Sequence, residues 1–159
     1  MFGLRRRDFI LSGLSTVCAL PLHAQTAAKT ILVVGDSLSA EYGLARGTGW
    51  VALLVARLAD SKSPYAVVNA SISGDTTSGG RSRLAALLKQ HQPAVVVIEL
   101  GANDALRGLP LGMSEDNLAA MTKASQAVGA KVLLLGMQMP PNYGADYGKR
   151  FADMYAKVA

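Results

Sequence analysis

Residues 31–40 read Ile-Leu-Val-Val-Gly-Asp-Ser-Leu-Ser-Ala. Ile31, Leu32, Val33 and Val34 form an apolar run without alternation, the pattern of a strand covered on both faces. Gly35 ends the run, and Asp36 and Ser37 follow at once. A buried strand therefore delivers a small hydroxyl to its own tip. If that hydroxyl reacts, some group must take its proton.

The rest of the chain repeats the alternation that this strand begins. Residues 48–59 space Trp50, Leu53, Leu54 and Leu58 at helical intervals, and 66–68 form a short second strand. Residues 76–90 bring Leu84, Leu87 and Leu88 to one helix face, and Ala-Val-Val-Val-Ile-Glu-Leu at 94–100 is a third strand entered from Pro93. Residues 114–128 predict a helix with Ser114 as N-cap and with Glu115 and Asp116 at its positive end. It turns Leu118, Met121 and Val128 inward and stops at Gly129. A fourth strand is expected over 131–137. A last helix over 145–158 places Phe151, Met154, Tyr155 and Val158 on one face. Strands apolar on both sides, alternating with helices, predict one three-layer α/β domain with a parallel sheet.

The 159 residues suit a single core, and half of them are hydrophobic. Residues 1–24 read as an export signal: Arg5, Arg6 and Arg7, an apolar middle, then the small-residue site Leu22-His23-Ala24. The apolar stretch is shorter than the ~20 residues a membrane span needs. Arg6-Arg7-Asp8-Phe9-Ile10 resembles a twin-arginine signal, and an ordinary secretory signal that carries arginines reads the same residues. Loss of 1–24 removes three arginines and Asp8, taking the formal charge from +5 to +3. No long Lys/Arg run remains, so nothing supports nucleic-acid binding. Cys18 is the one cysteine and lies in the signal, so residues 25–159 have no thiol, disulfide or Cys ligand. The two histidines are His23 and His91.

Ligands of a parallel sheet bind beyond the C-terminal ends of its strands. Three polar segments fall there: Gly35-Asp36-Ser37-Leu38, Asn69-Ala70-Ser71-Ile72-Ser73-Gly74-Asp75, and Gly101-Ala102-Asn103-Asp104. Singly, each reads as a cap, a turn or a loop pair bonding its own backbone. Together, on three successive strand ends, they suit acyl transfer. A serine hydroxyl attacks a carbonyl once a base removes its proton, and aimed donors then hold the oxyanion. The Gly74 N–H suits that task because a missing side chain lets the backbone approach, and the Asn103 amide and the Ser37 N–H would complete the hole.

These same residues resemble the first three sequence blocks of the SGNH (GDSL) hydrolases. ILVVGDSLSAEYG, VVNASISGDTT, LLKQHQP, ELGANDALRGLP and PPNYG are similar to the bacterial periplasmic thioesterase/lysophospholipase/arylesterase branch, over essentially all of 30–159. The resemblance implies a flavodoxin-like α/β/α domain without cofactor or metal, a monomer when complete. Its substrate would be a small acyl ester or thioester, met in the periplasm or outside the cell, with no membrane anchor after signal removal. It implies Ser37 as nucleophile and oxyanion donor, Gly74 and Asn103 as oxyanion donors, and Asp36 and Asp104 as supporting residues. It also matches 105–110 to a mobile loop beside the acyl site. Leu106 and Leu109 are candidates there for acyl contact, loop packing being the alternative.

One block has no match. The family's Asp-x-x-His, which supplies the base and its orienting carboxylate, does not occur, and Asp146 and Asp153 have no histidine three residues on. His91 is placed before the third strand, at the edge opposite Ser37, and reads as structural. The catalytic His and Asp are thus expected to be absent from 25–159. The last predicted strand and helix also end without a cap or covering partner, so a further strand and helix are expected to be missing from the domain. The alternative is a non-catalytic acyl- or lipid-binding relative. A nucleotide-binding reading fails because no G-x-G-x-x-G or P-loop follows the first strand, and Asp36 would repel a phosphate.

Overall fold

The computed structural model describes residues 28–159, so the signal reading, with Arg5, Arg6, Arg7, Cys18 and His23, lies outside the described residues. Four strands, β1 (Lys29–Gly35), β2 (Tyr65–Asn69), β3 (Val95–Glu99) and β4 (Lys131–Leu134), make one sheet in the order β2-β1-β3-β4. Every pairing is parallel, with Gly35 opposite Glu99 where β1 and β3 end. The helices are α1 (Trp50–Asp60), α2 (Thr77–His91), α3 (Ala102–Leu106), α4 (Leu111–Ala127) and α5 (Ala145–Val158).

Because neighbouring side chains on a strand point to opposite faces, the apolar runs build two separate layers. Leu32, Val34, Val96 and Ile98 face α2, α4 and α5, meeting Leu84, Leu118, Met121, Phe151 and Met154 in the main core. Val33 and Val97 face the other way and meet Val51 of α1. The architecture is the expected three-layer α/β/α domain. The chain leaves β1 toward β2 and then crosses back to β3, which puts the topological switch point between β1 and β3, the place where open parallel sheets hold ligands.

Several local expectations need correction. The fourth helix starts at Leu111, after Pro110, so Ser114 is not its N-cap and Glu115 and Asp116 do not stand in its first turn. Ser114 is instead fully buried, with its hydroxyl on Asp104. Asn103 and Asp104 lie on the short helix α3 rather than in a loop. Val128, expected inside, is exposed, as is Leu53 of α1, where Val51 supplies the inward contact. β4 stops at Leu134 rather than 137, because β3 ends at Glu99 and turns at Gly101, leaving no partner beyond the Leu135 N–H to Ile98 carbonyl bond. β4 is also not buried on both faces: it is an edge strand, and Leu133 is 51% exposed on the α1 side.

Candidate active site

The ends of β1, β2 and β3 bring Ser37, Gly74 and Asn103 to one place, and all three line one hollow of about 350 Å³ together with Tyr42 and Ser73. Ser37 and Asn103 also belong to a second cleft of about 380 Å³. Its walls are Leu38 and Leu106, then Met137 and Met139 beyond β4, and Phe151 of α5. Ser37 thus stands between a mainly apolar cleft and a more polar, open one. Leu106 lines the apolar cleft, whereas Leu109 does not. A larger hollow of about 810 Å³ lies between α2 and α4, among Ala85, Leu88, Ala124 and Val128. It holds no nucleophile and no titratable pair.

The turn after β2 explains the glycine. The Asp75 N–H donates to the Ile72 carbonyl at 3.0 Å, and Gly74 has φ +79° while Ser73 does not adopt a positive φ. That is a type II turn with glycine at its third position. An added Cβ at Gly74 would meet only Arg107 Nη2, at 3.7 Å. Within the protein it is therefore the positive φ, not crowding, that calls for glycine here. The positive φ matters because it sets which way the Ser73–Gly74 peptide points, and hence the direction of the Gly74 N–H. Among the described residues neither that N–H nor the Ser37 N–H donates to a protein acceptor. Arg107 Nη2 donates to the Gly74 carbonyl at 2.7 Å, tying the segment after α3 to this turn.

The Asn103 amide is more constrained. Its Nδ2 donates to Asp36 Oδ2 and to the Asp75 carbonyl, both at 2.9 Å. Asp36 is buried, and its other oxygen accepts the Leu38 N–H at 3.0 Å. Burial pushes the Asp36 carboxyl above its ordinary value, against the lowering effect of the Leu38 N–H, and Asp75 adds to the rise. Asp104, fully buried, accepts the Thr77 N–H at 2.9 Å, the Thr77 hydroxyl at 2.5 Å and the Ser114 hydroxyl at 3.1 Å. A carboxylate placed on the first turn of α2 in this way satisfies an otherwise orphan helix N–H. It also pins α3, and with it Asn103, to α2 and α4.

Glu99 was not picked out from the sequence. It is 4% exposed at the end of β3, and its Oε2 accepts from Ser39 Oγ at 2.7 Å and from the Asp36 N–H at 3.3 Å. The available signal was a carboxylate closing an otherwise apolar strand, a costly placement unless the group is bonded. The wall formed by 137–140 was also missed, since nothing local in those residues announces a cleft.

His91, the single histidine among the described residues, ends α2, just before β3 begins. That is the edge of the sheet opposite Ser37, as expected. Among the described residues no three His, Cys, Asp or Glu side chains come together to hold a metal, and no helix is long and apolar enough to cross a membrane.

A strand-tip serine at the switch point, with two unspent N–H groups and an apolar cleft beside it, is an arrangement that suits acyl transfer on an α/β/α fold. The family model of the GDSL-like lipase/acylhydrolases matches residues 33–159, and the chain belongs to that family. Esterase TesA of Pseudomonas aeruginosa is 55% identical over 153 residues, covering 96% of this chain and 75% of that protein. An arylesterase of Vibrio mimicus is 45% identical over 136 residues, covering 86% of this chain and 68% of the relative. The crystal structure of a psychrotrophic esterase, EstA from Pseudoalteromonas, inhibited by monoethylphosphonate, superposes with a TM-score of 0.78 at 47% identity, covering 82% of this chain and 71% of that one.

Proposed function

We propose that this chain carries the nucleophile and the oxyanion donors of an exported serine esterase acting on acyl esters and thioesters. The observation that carries the reading is the position of Ser37, at the switch point and between two clefts of different polarity. The Ser37 oxygen attacks the acyl carbon, and the carbonyl oxygen takes up charge against the N–H groups of Ser37 and Gly74, with Asn103 beside them. The tetrahedral intermediate collapses with loss of the alcohol or thiol, leaving an acyl group on Ser37 that water then removes. The apolar cleft takes the acyl chain, with Leu106 as a contact, and the open hollow beside Gly74 takes the leaving group. Asp36 orients Asn103, and Asp104 anchors the helix that bears it.

The proton on Ser37 has no histidine acceptor within residues 28–159, since His91 ends α2 at the other edge of the sheet. Loss of the base in serine hydrolases costs up to about 10⁶ in kcat, so the 159-residue chain is expected to turn over very slowly unaided. Imidazole added to solution supplies the missing base. Hydrolysis of a p-nitrophenyl ester by the chain should exceed that by Ser37→Ala and should rise with imidazole. Equal rates for the two folded proteins at every imidazole concentration would overturn the reading. The position of His91 also favours a second reading, a non-catalytic acyl binder. That reading requires affinity for a fatty acyl ligand without any Ser37-dependent turnover.

A further inference from the structure

Asp36 and Ser39, one on each side of Ser37 in the chain, are held by one buried side chain. The Asp36 N–H and the Ser39 hydroxyl both donate to Glu99 Oε2, at 3.3 Å and 2.7 Å. Ser39 Oγ is itself held from the other side, accepting Trp50 Nε1 at 3.1 Å, which leaves its own proton to go to Glu99. The Ser39 carbonyl accepts Asn69 Nδ2 at 2.7 Å, so the segment is tied to β2 as well. Gly35 lies over the same carboxyl: a Cβ there would come within 2.8 Å of Glu99 Oε2 and 2.6 Å of Ser39 Oγ. The glycine of the Gly-Asp-Ser segment is therefore required by the packed Ser39–Glu99 pair.

From this geometry we infer that Glu99 is a positioning residue for the nucleophile, acting through the Asp36 N–H and Ser39 to fix the backbone that carries Ser37. The inference rests on the reading of Ser37 as nucleophile. Placement on β3 gives the carboxyl a rigid base, whereas the segment it holds leaves β1 as irregular backbone. A buried glutamate is costly, and a salt bridge does not explain this one, since its contacts are the two groups on either side of Ser37. Oε2 accepts both bonds whether or not the carboxyl carries a proton, and a glutamine offers the same carbonyl oxygen. Its Oε1 is buried without a partner among the described residues.

The test uses the full chain with a fluorophosphonate probe and imidazole as base. The bond from Ser37 Oγ to phosphorus forms, fluoride leaves, and the hydroxyl proton passes to imidazole. Labelling is followed by intact mass for the unaltered chain, Glu99→Gln, Glu99→Ala and Ser39→Ala, beside the melting temperature of each. Exchange of the Trp50 indole proton, the single such proton in the chain, reads the network directly by NMR. Glu99→Gln should label within about threefold of the unaltered chain, Ser39→Ala about tenfold slower and Glu99→Ala about 10²-fold slower, the scale of a ~1 Å misplacement of a reacting group. Indole exchange should quicken in Glu99→Ala and Ser39→Ala but not in Glu99→Gln. Rescue by glutamine separates positioning from a bare requirement for packing.

Labelling of a folded Glu99→Ala at the unaltered rate would overturn the inference, as would a Glu99→Gln as slow as Glu99→Ala. Should Glu99→Ala fail to fold, an unchanged labelling rate in Ser39→Ala overturns it on its own. If the unaltered chain is labelled no faster than Ser37→Ala, the nucleophile reading falls first and takes this inference with it.

Discussion

The Asn103 amide nitrogen stands 2.9 Å from Asp36 Oδ2, a contact across 67 residues of chain, and so the acidic residue beside the serine orients the amide that α3 brings to the end of the neighbouring strand. Asp36→Asn leaves one oxygen for two donors, Leu38 N–H and Asn103. One bond is lost whichever way the new amide turns, a loss of about 1–3 kcal/mol. Imidazole-assisted phosphonylation of Ser37 should slow by about 10–10², with only a modest fall in the melting temperature. A variant that melts normally and reacts at full rate would remove Asp36 from the site.

Gly74→Ala separates orientation from space. The site is open, but alanine at φ +79° costs about 1–2 kcal/mol. A type I turn relieves that cost by flipping the Ser73–Gly74 peptide and turning its N–H away. Loss of one oxyanion donor costs about 2.7–4 kcal/mol of transition-state stabilisation. Ser37-dependent ester hydrolysis should therefore fall about 10²–10³-fold while urea denaturation moves little.

Asp104→Ala strands the Thr77 N–H, the Thr77 hydroxyl and the Ser114 hydroxyl in a buried place. Each unsatisfied buried group costs about 1–3 kcal/mol, and relaxation shares the loss, so a destabilisation of about 3–5 kcal/mol is expected by urea titration. Asn117→Ala removes the outer bond of the same network, from Asn117 Nδ2 to the Thr77 hydroxyl, together with the part-buried bond that Arg81 Nη1 donates to Asn117 Oδ1. It should cost about 1 kcal/mol.

The Glu99 carboxyl is raised from 4.5, chiefly by burial, with Asp36 adding to the rise and the Ser39 bond opposing it. A raised acid binds its proton more tightly folded than unfolded, so its contribution is greatest below pH 4.5 and is lost as pH rises through the raised value. The groups facing Glu99 are Asp36, raised in the same direction, and Tyr155, whose hydroxyl is raised by burial and by Glu99. Thermal unfolding across a pH series should therefore show stability falling as pH climbs above about 4.5. Glu99→Gln should flatten that fall, leaving the part due to Asp36.

The strand tips were legible because each chemistry-bearing segment follows an apolar run directly, and parallel-strand geometry then dictates that the tips converge. Ser37, Gly74 and Asn103 could be grouped on that basis alone. Ser114 misled, because a serine before two acids looks like a helix start. What the local pattern hid was a tertiary contact: Ser114 donates to the buried Asp104, and the helix begins earlier, at Leu111. Glu99 was hidden for a related reason. Its partners, Asp36 and Ser39, lie 63 and 60 residues away, and no local periodicity encodes such a pairing. The residues 137–140 became a cleft wall only because β4 is next to β3 in the sheet.

The Arg107–Gly74 contact spans 33 residues and the Asn103–Asp75 contact 28, so the bonds that tie one strand tip to another close long loops. Long loops are slow to close because their entropy must be lost before their contacts repay it. On dilution from denaturant, the core of α2, α4 and β3 can gather before the strand tips find one another. Reactivity at Ser37 should then return later than helical content. The capacity for chemistry is then the last thing gained in folding.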